Sequence, residues 1–88
     1  MIPRPQFKPW FRWAIVPGEG ILLLSEQGHV SLRGGVYMGL APLLNGQHTV
    51  DEIINRLQDE FPAPEIFSAL MSLRSKGYLI DEPLSYLL

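Results

Sequence analysis

The stretch LLLSEQGHVSLRGGVYMGLAPLLNGQHTVDEIINRLQDEFPAPEIFSALMSLRSKGYLI, residues 22–80, decides the fold. Its clearest local signal is Thr49 followed by Glu52, a capping box in which each side chain can satisfy the other's free backbone N–H. Val50, Ile53, Ile54, Leu57 and Phe61 then recur at helical spacing, so a helix starts at Val50. Pro62-Ala63-Pro64 ends it, and Pro64 suits the first turn of a third helix over 64–76 that stops at Gly77. Residues 78–80 then return as extended chain.

Upstream of Thr49 the period changes. His29 to Arg33 alternates, with Val30 and Leu32 toward a core and His29, Ser31 and Arg33 outward. Residues 21–24 read as a short buried strand. In residues 11–16, Phe11, Trp13 and Ile15 alternate with Arg12 and Ala14 in the period-2 pattern of a half-buried strand. Turns at Pro17-Gly18-Glu19-Gly20 and from Ser25 to Gly28 join the three into an antiparallel meander whose first and third strands are both edges. Gly34 and Gly35 break the third strand. A first helix follows over 36–44 and closes on Asn45-Gly46, and Pro42 inside it should kink or shorten it. The expected fold is α+β and winged-helix-like, a three-stranded antiparallel sheet with three helices after it. Pro3, Pro5 and Pro9 make residues 1–9 an extended Pro-rich arm. Residues 10–82 form the folded domain. The apolar 83–88 is a tail, either the start of a linker in a longer protein or a segment that packs back or pairs with another copy.

Composition narrows the function classes. The 88 residues fit one small domain, and 47% apolar residues call for a folded core. Without cysteine there is no disulfide, thiolate zinc site or cysteine nucleophile, and a cytoplasmic location is expected. Seven Lys/Arg against nine Asp/Glu give a net charge of −2, which exerts no global attraction on nucleic acid. No apolar run approaches the roughly 20 residues that span a bilayer. Neither nucleic acid nor membrane is an expected partner.

The third helix carries two apolar stripes. Ile66, Ala69, Leu70 and Leu73 fall at i, i+3, i+4 and i+7, sufficient to dock the helix. Phe67, Met71 and Arg74 form a second stripe, rotated by about 100°. Either this second stripe widens the core contact, or its ring, thioether and cation face a peptide. The third strand offers the other wall, because an unpaired edge presents N–H and C=O groups to an extended chain. His29 and Arg33 could equally be the charges that guard such an edge.

No catalytic or metal residue is expected. His29 and His48 lack ligand spacing, and Asp51 and Glu52 are accounted for by capping and the helix dipole. Ser25, Ser31 and Ser68 have no identifiable base, and the glycines form no phosphate loop, so no cofactor is implied.

The entry KPWFRWAIVP, the hairpin LLLSEQGHVSLRG, the turn APLLNGQHTVDEI and the ending LRSKGYLID carry a resemblance. Residues 8–80 resemble the RiPP recognition element, the leader-peptide-binding winged-helix domain of YcaO-type cyclodehydratases of the cyanobactin group and of azole-peptide leader-binding proteins. The resemblance implies that the leader of a ribosomally made precursor pairs antiparallel with the third strand, between it and the third helix. The implied contacts are His29, Val30, Ser31, Leu32 and Arg33 on one wall and Phe67, Leu70, Met71 and Arg74 on the other. The implied partners are the precursor leader and a modifying enzyme, in cis or trans, with ATP and magnesium bound by the larger domains of that enzyme. A winged-helix DNA-binding domain and a structural dimerisation domain, a homodimer through the same edge strand, are the alternatives. Against DNA, the last helix offers only Arg74 and Lys76 as cations, both at its C-terminal end, while Glu65 occupies the start.

Overall fold

A computed structural model describes residues 4–80. The tail at 83–88 and the end of the expected domain at 81–82 lie outside the described residues, as do residues 1–3 of the arm. The elements run β1 (Arg12–Val16), β2 (Gly20–Ser25), β3 (Gly28–Arg33), α1 (Gly35–Leu40), a 3-10 turn (Ala41–Leu43), α2 (Val50–Leu57) and α3 (Ala63–Ser75). The sheet is antiparallel in the order β1-β2-β3, so both outer strands are edges. This is the expected α+β, winged-helix-like architecture.

Register fixes the faces. Trp13, Leu23 and Val30 form one cross-strand row and Ile15, Ile21 and Leu32 the next, all on the side where the helices pack. Ala14, Leu22 and Ser31 form a row on the opposite side, as do Arg12, Leu24 and His29. Ile21, Leu23 and Leu32 join Leu40, Ile53, Ile66, Leu70 and Leu73 in the core. Val30 is half-buried and His29, Ser31 and Arg33 are exposed, so β3 alternates as expected. β1 does not: Arg12 to Ile15 are all exposed, because no helix covers the face that carries Trp13 and Ile15.

Gly20 makes the meander possible. It stands at φ +151°, and a Cβ there would collide with the backbone carbonyl oxygen of Leu32 across the β2–β3 ladder. At the first helix the sequence expectation is shortened. The α-helix ends at Leu40, and the chain tightens into the 3-10 turn that contains Pro42, whose missing N–H cannot extend the α-helical ladder. Gly39 allows α2 to approach, since a Cβ at that position would meet Leu57 Cδ2 at 3.0 Å.

The arm is extended yet belongs to the core. Pro5 and Phe7 are buried, Phe7 bridges Leu79, and Ile80 N–H donates to the Gln6 carbonyl at 2.8 Å. Residues 5–7, expected in an arm outside the folded domain, thus clasp the chain that leaves α3. That exit is a Schellman stop: Gly77 at φ +80° donates to Arg74 O, and Tyr78 donates to Leu73 O.

The capping box forms as read. Thr49 N–H donates to Glu52 Oε1 at 2.8 Å, and Glu52 N–H donates to Thr49 Oγ1 at 3.1 Å. The Thr49 backbone and then its side chain hold the Glu52 carboxyl below its ordinary pKa, with the charges of Arg4 and His48 adding to the effect and slight desolvation opposing it. A depressed folded-state pKa stabilises the fold above the unfolded carboxyl range, and that contribution disappears as pH falls through the folded value. Thr49→Ala should therefore cost about 1 kcal/mol in urea unfolding at neutral pH. Glu52→Gln, which keeps an acceptor and never ionises, should be less stable than the parent at pH 7 and converge on it as the solution is acidified. A gap that stays constant through the acid range would show that the ionised cap contributes nothing.

Candidate peptide-binding groove

On β3, His29, Ser31 and Arg33 project away from the helices, while Val30 and Leu32 point toward them. Leu32 is buried and Val30 is half-buried at the core's margin. One side of the strand is paired with β2 and the other is open. A shallow depression of about 170 Å³ lies at its C-terminal half, lined by Val16, Glu19, Gly20, Ile21, Leu22, Ser31, Leu32 and Arg33. Three of the five proposed strand residues therefore border open space.

The two stripes of α3 separate by burial. Ile66, Ala69, Leu70 and Leu73 are buried. Phe67 is 37% exposed and lies outside the core cluster, Met71 is half-buried against that cluster, and Arg74 is exposed in the last turn. Leu70, assigned by resemblance to the helix wall, is only 1% exposed and packs inward. The surface that α3 can offer a partner is thus Phe67, Met71 and Arg74. Val30 on the strand and Met71 on the helix are both partly buried and packed against the same core.

The sheet meets the helices through α1 on β2, and α3 packs on α1 and α2. Neither edge strand is capped by a helix along its length. Among the described residues there is no cluster of His, Asp or Glu that could hold a metal ion, and no helix is long and apolar enough to cross a membrane.

Residues 6–81 match the family described as Winged Helix-turn-helix domain. The chain belongs to that family. No curated protein sequence gives a significant match. Among solved structures, the heterocyclase TruD superposes on 88% of this chain with a TM-score of 0.79 and 36% sequence identity. A heterocyclase in complex with substrate and cofactor superposes on 92% of it, with a TM-score of 0.80 and again 36% identity. The domain spans 11% of each of those chains. Its structural neighbours are therefore heterocyclases, of which it matches one small part.

Sequence reasoning missed the most exposed apolar surface of the winged-helix domain. Trp10 is 61% exposed beneath Lys8 Nζ, which sits 5.6 Å from its ring centroid. Trp10 also borders an open depression of about 780 Å³ with Pro9, Arg12, Leu24 and the Ser25-Glu26-Gln27 turn. The excess of aromatic residues around Trp10 to Trp13 was the available signal.

The two stripes make opposite predictions. Leu73→Ala, and equally Leu70→Ala, should destabilise the fold by about 2 to 5 kcal/mol, the cost of truncating a buried leucine. Phe67→Ala and Met71→Ala should shift the melting temperature little. If thermal unfolding shows all four equally damaged, both stripes are core and α3 has no binding face.

Proposed function

We propose that the chain binds the leader segment of a ribosomally synthesised precursor peptide by β-strand addition between β3 and α3, and presents the precursor to an azole- or azoline-forming cyclodehydratase. The observation that carries this reading is an open β3 edge in a domain whose third helix exposes Phe67, an aromatic side chain its own core does not need. The likeness to heterocyclases at 36% identity supports the enzyme class with which such a domain would work.

The physical division of labour is straightforward. The backbone of β3 supplies N–H and C=O groups to an antiparallel strand, which fixes direction and register. Val30, Met71 and Phe67 supply apolar contact for side chains on one face of that strand. His29 and Arg33 project from the opposite face, where ion pairs with acidic leader residues would orient the peptide at roughly 0 to 1 kcal/mol each. Leu32 and Leu70 act from beneath, holding the two walls through the core. The domain itself performs no chemistry in this reading; reaction belongs to the partner enzyme, in cis or trans.

Backbone pairing with a few side-chain pockets places the dissociation constant between micromolar and nanomolar, about 8 to 12 kcal/mol. Titration of labelled protein with a cognate leader should move the amide resonances of β3 and of α3 near Phe67 and Met71. Phe67→Ala should weaken binding by about 1 kcal/mol or more, and by more than Met71→Ala, because the ring buries more area. Shifts confined to α2, with β3 unmoved, would place the site elsewhere. Tight, sequence-selective binding to duplex DNA at physiological salt would replace this reading with the other use of the winged-helix fold.

Incubated with precursor, ATP and magnesium, the 88-residue chain should leave the precursor mass unchanged. A dehydrated product formed by this chain alone would overturn the non-catalytic assignment.

A further inference from the structure

A strand turns the backbone N–H and C=O of alternate residues to each of its two sides, so the residues of β3 that can serve an added strand are those β2 does not use. Two observations fix which they are. Gly34 N–H donates to Glu19 O at 2.8 Å, one step beyond the Gly20–Arg33 pair. In an antiparallel ladder such a bond brackets a pair that is not itself bonded, so Arg33 turns its backbone groups away from β2 and Leu32 turns its own toward Ile21. The carbonyl oxygen of Leu32 does lie against Gly20, where a Cβ would collide with it. Alternation carries this phase along the register. Leu32 and Val30 bond to Ile21 and Leu23, while Arg33, Ser31 and His29 point their N–H and C=O groups to the open edge. Among the described residues, no backbone bond from a turn, loop or cap reaches those three.

We infer that a peptide added to β3 divides its work between two sets of residues. Those facing His29, Ser31 and Arg33 make the backbone bonds, and the two between them, facing Val30 and Leu32, make none to the strand. Paired residues share a face of the sheet, so the bonding set projects away from the helices with the side chains of His29, Ser31 and Arg33. The other two project to the helix side, where Val30 packs against the core and Leu32 belongs to it. Unbonded antiparallel pairs are also the closer ones, about 4.5 Å between Cα atoms against about 5.5 Å. Apolar side chains at these two positions therefore sit nearest to the apolar wall. The division rests on strand addition at β3 and adds which peptides that edge accepts. The ligand is an extended segment with apolar residues at two positions, i and i+2, and with free amide N–H groups on the residue between them and on the residue to either side. Proline or an N-methylated residue fits at the two apolar positions and at none of the other three.

Amide exchange of the free chain, followed by NMR, tests the phase without any ligand. Val30, Leu32 and Gly34 should exchange slowly and His29, Ser31 and Arg33 fast; the reverse order would overturn the inference. The peptide half is tested with a binder selected from a displayed library of random peptides, kept only if it shifts β3 amides, and remade with one N-methyl group at each position in turn. Affinity should fall by about tenfold or more at alternate positions and by less than about twofold at those between. A uniform loss, or a loss at the apolar positions, would overturn the division. Ser31→Pro removes an N–H that β2 does not use, so circular dichroism should show a folded chain that has lost the binder. If that variant binds as the parent does, Ser31 is wrongly assigned; if it does not fold, the N-methyl scan decides. A library that yields no binder on β3 would remove strand addition itself, and the exchange pattern of the free chain separates that failure from a wrong phase.

Discussion

The six-residue helix α1 joins the two halves of the domain: it packs on β2 on one side and on α2 and α3 on the other. Leu40 at its end is completely buried, and Gly39 lets Leu57 of α2 come within contact distance. A helix is about 10 to 12 Å across and neighbouring strands lie about 4.8 Å apart, so one helix covers about two strands. A three-stranded sheet under one short helix must leave a strand bare. Here that strand is β1, and the cost appears as Trp13 and Ile15 facing the helical side without a partner.

The same constraint explains what was legible in the sequence. Alternation identified the two outer strands and the correct face of their residues, because period is a property of local backbone geometry, while the middle strand was legible as a short apolar run between turns. It could not tell whether anything lies over that face, so the half-burial expected of Trp13 and Ile15 failed although their orientation was right. The capping box at Thr49 and Glu52 and the stop at Gly77 were legible for the same local reason. The role of Pro5 and Phe7 was not. Their partners, Asn45 to Gly46 and Leu79, are dozens of residues away, and a proline-rich stretch looks alike whether it is loose or clasped.

The candidate site was legible to a similar depth. An open β3 edge follows from a three-strand meander and requires no tertiary information. The helix wall requires knowing which way α3 rolls. Its core stripe at Ile66, Ala69, Leu70 and Leu73 fixes that roll, and Phe67 and Met71 then fall toward the margin by about 100° of rotation. Residue-by-residue transfer from a family resemblance put Leu70 in the groove, where helical geometry alone places it on the core stripe. The physical pattern was the better guide at that position.

Membership in the winged helix-turn-helix family raises the question of which surface of such a fold is used. Recognition of duplex DNA asks the last helix to enter the major groove with its N-terminal residues at the base edges and with cations near phosphates. Here α3 begins at Ala63-Pro64-Glu65, an acidic and donor-poor start, and Arg74 occupies its last turn. The same helix keeps an exposed ring at Phe67 and a thioether at Met71, chemistry suited to apolar side chains and without use against a phosphate backbone. Strand addition asks for different things, an unpaired edge and an apolar neighbour to hold alternate side chains. This chain has two unpaired edges, and they differ in kind. β3 ends in exposed Arg33 and sends Leu32 into the core and Val30 to its margin, whereas β1 leaves Trp13 and Ile15 exposed on the same face. Under the proposed function, a foreign strand on β3 would bring its own apolar side chains to Val30 and the helix. β1 would instead meet such a strand with its own bare apolar side chains and with no core beneath its outer edge, which is why the peptide is proposed for β3.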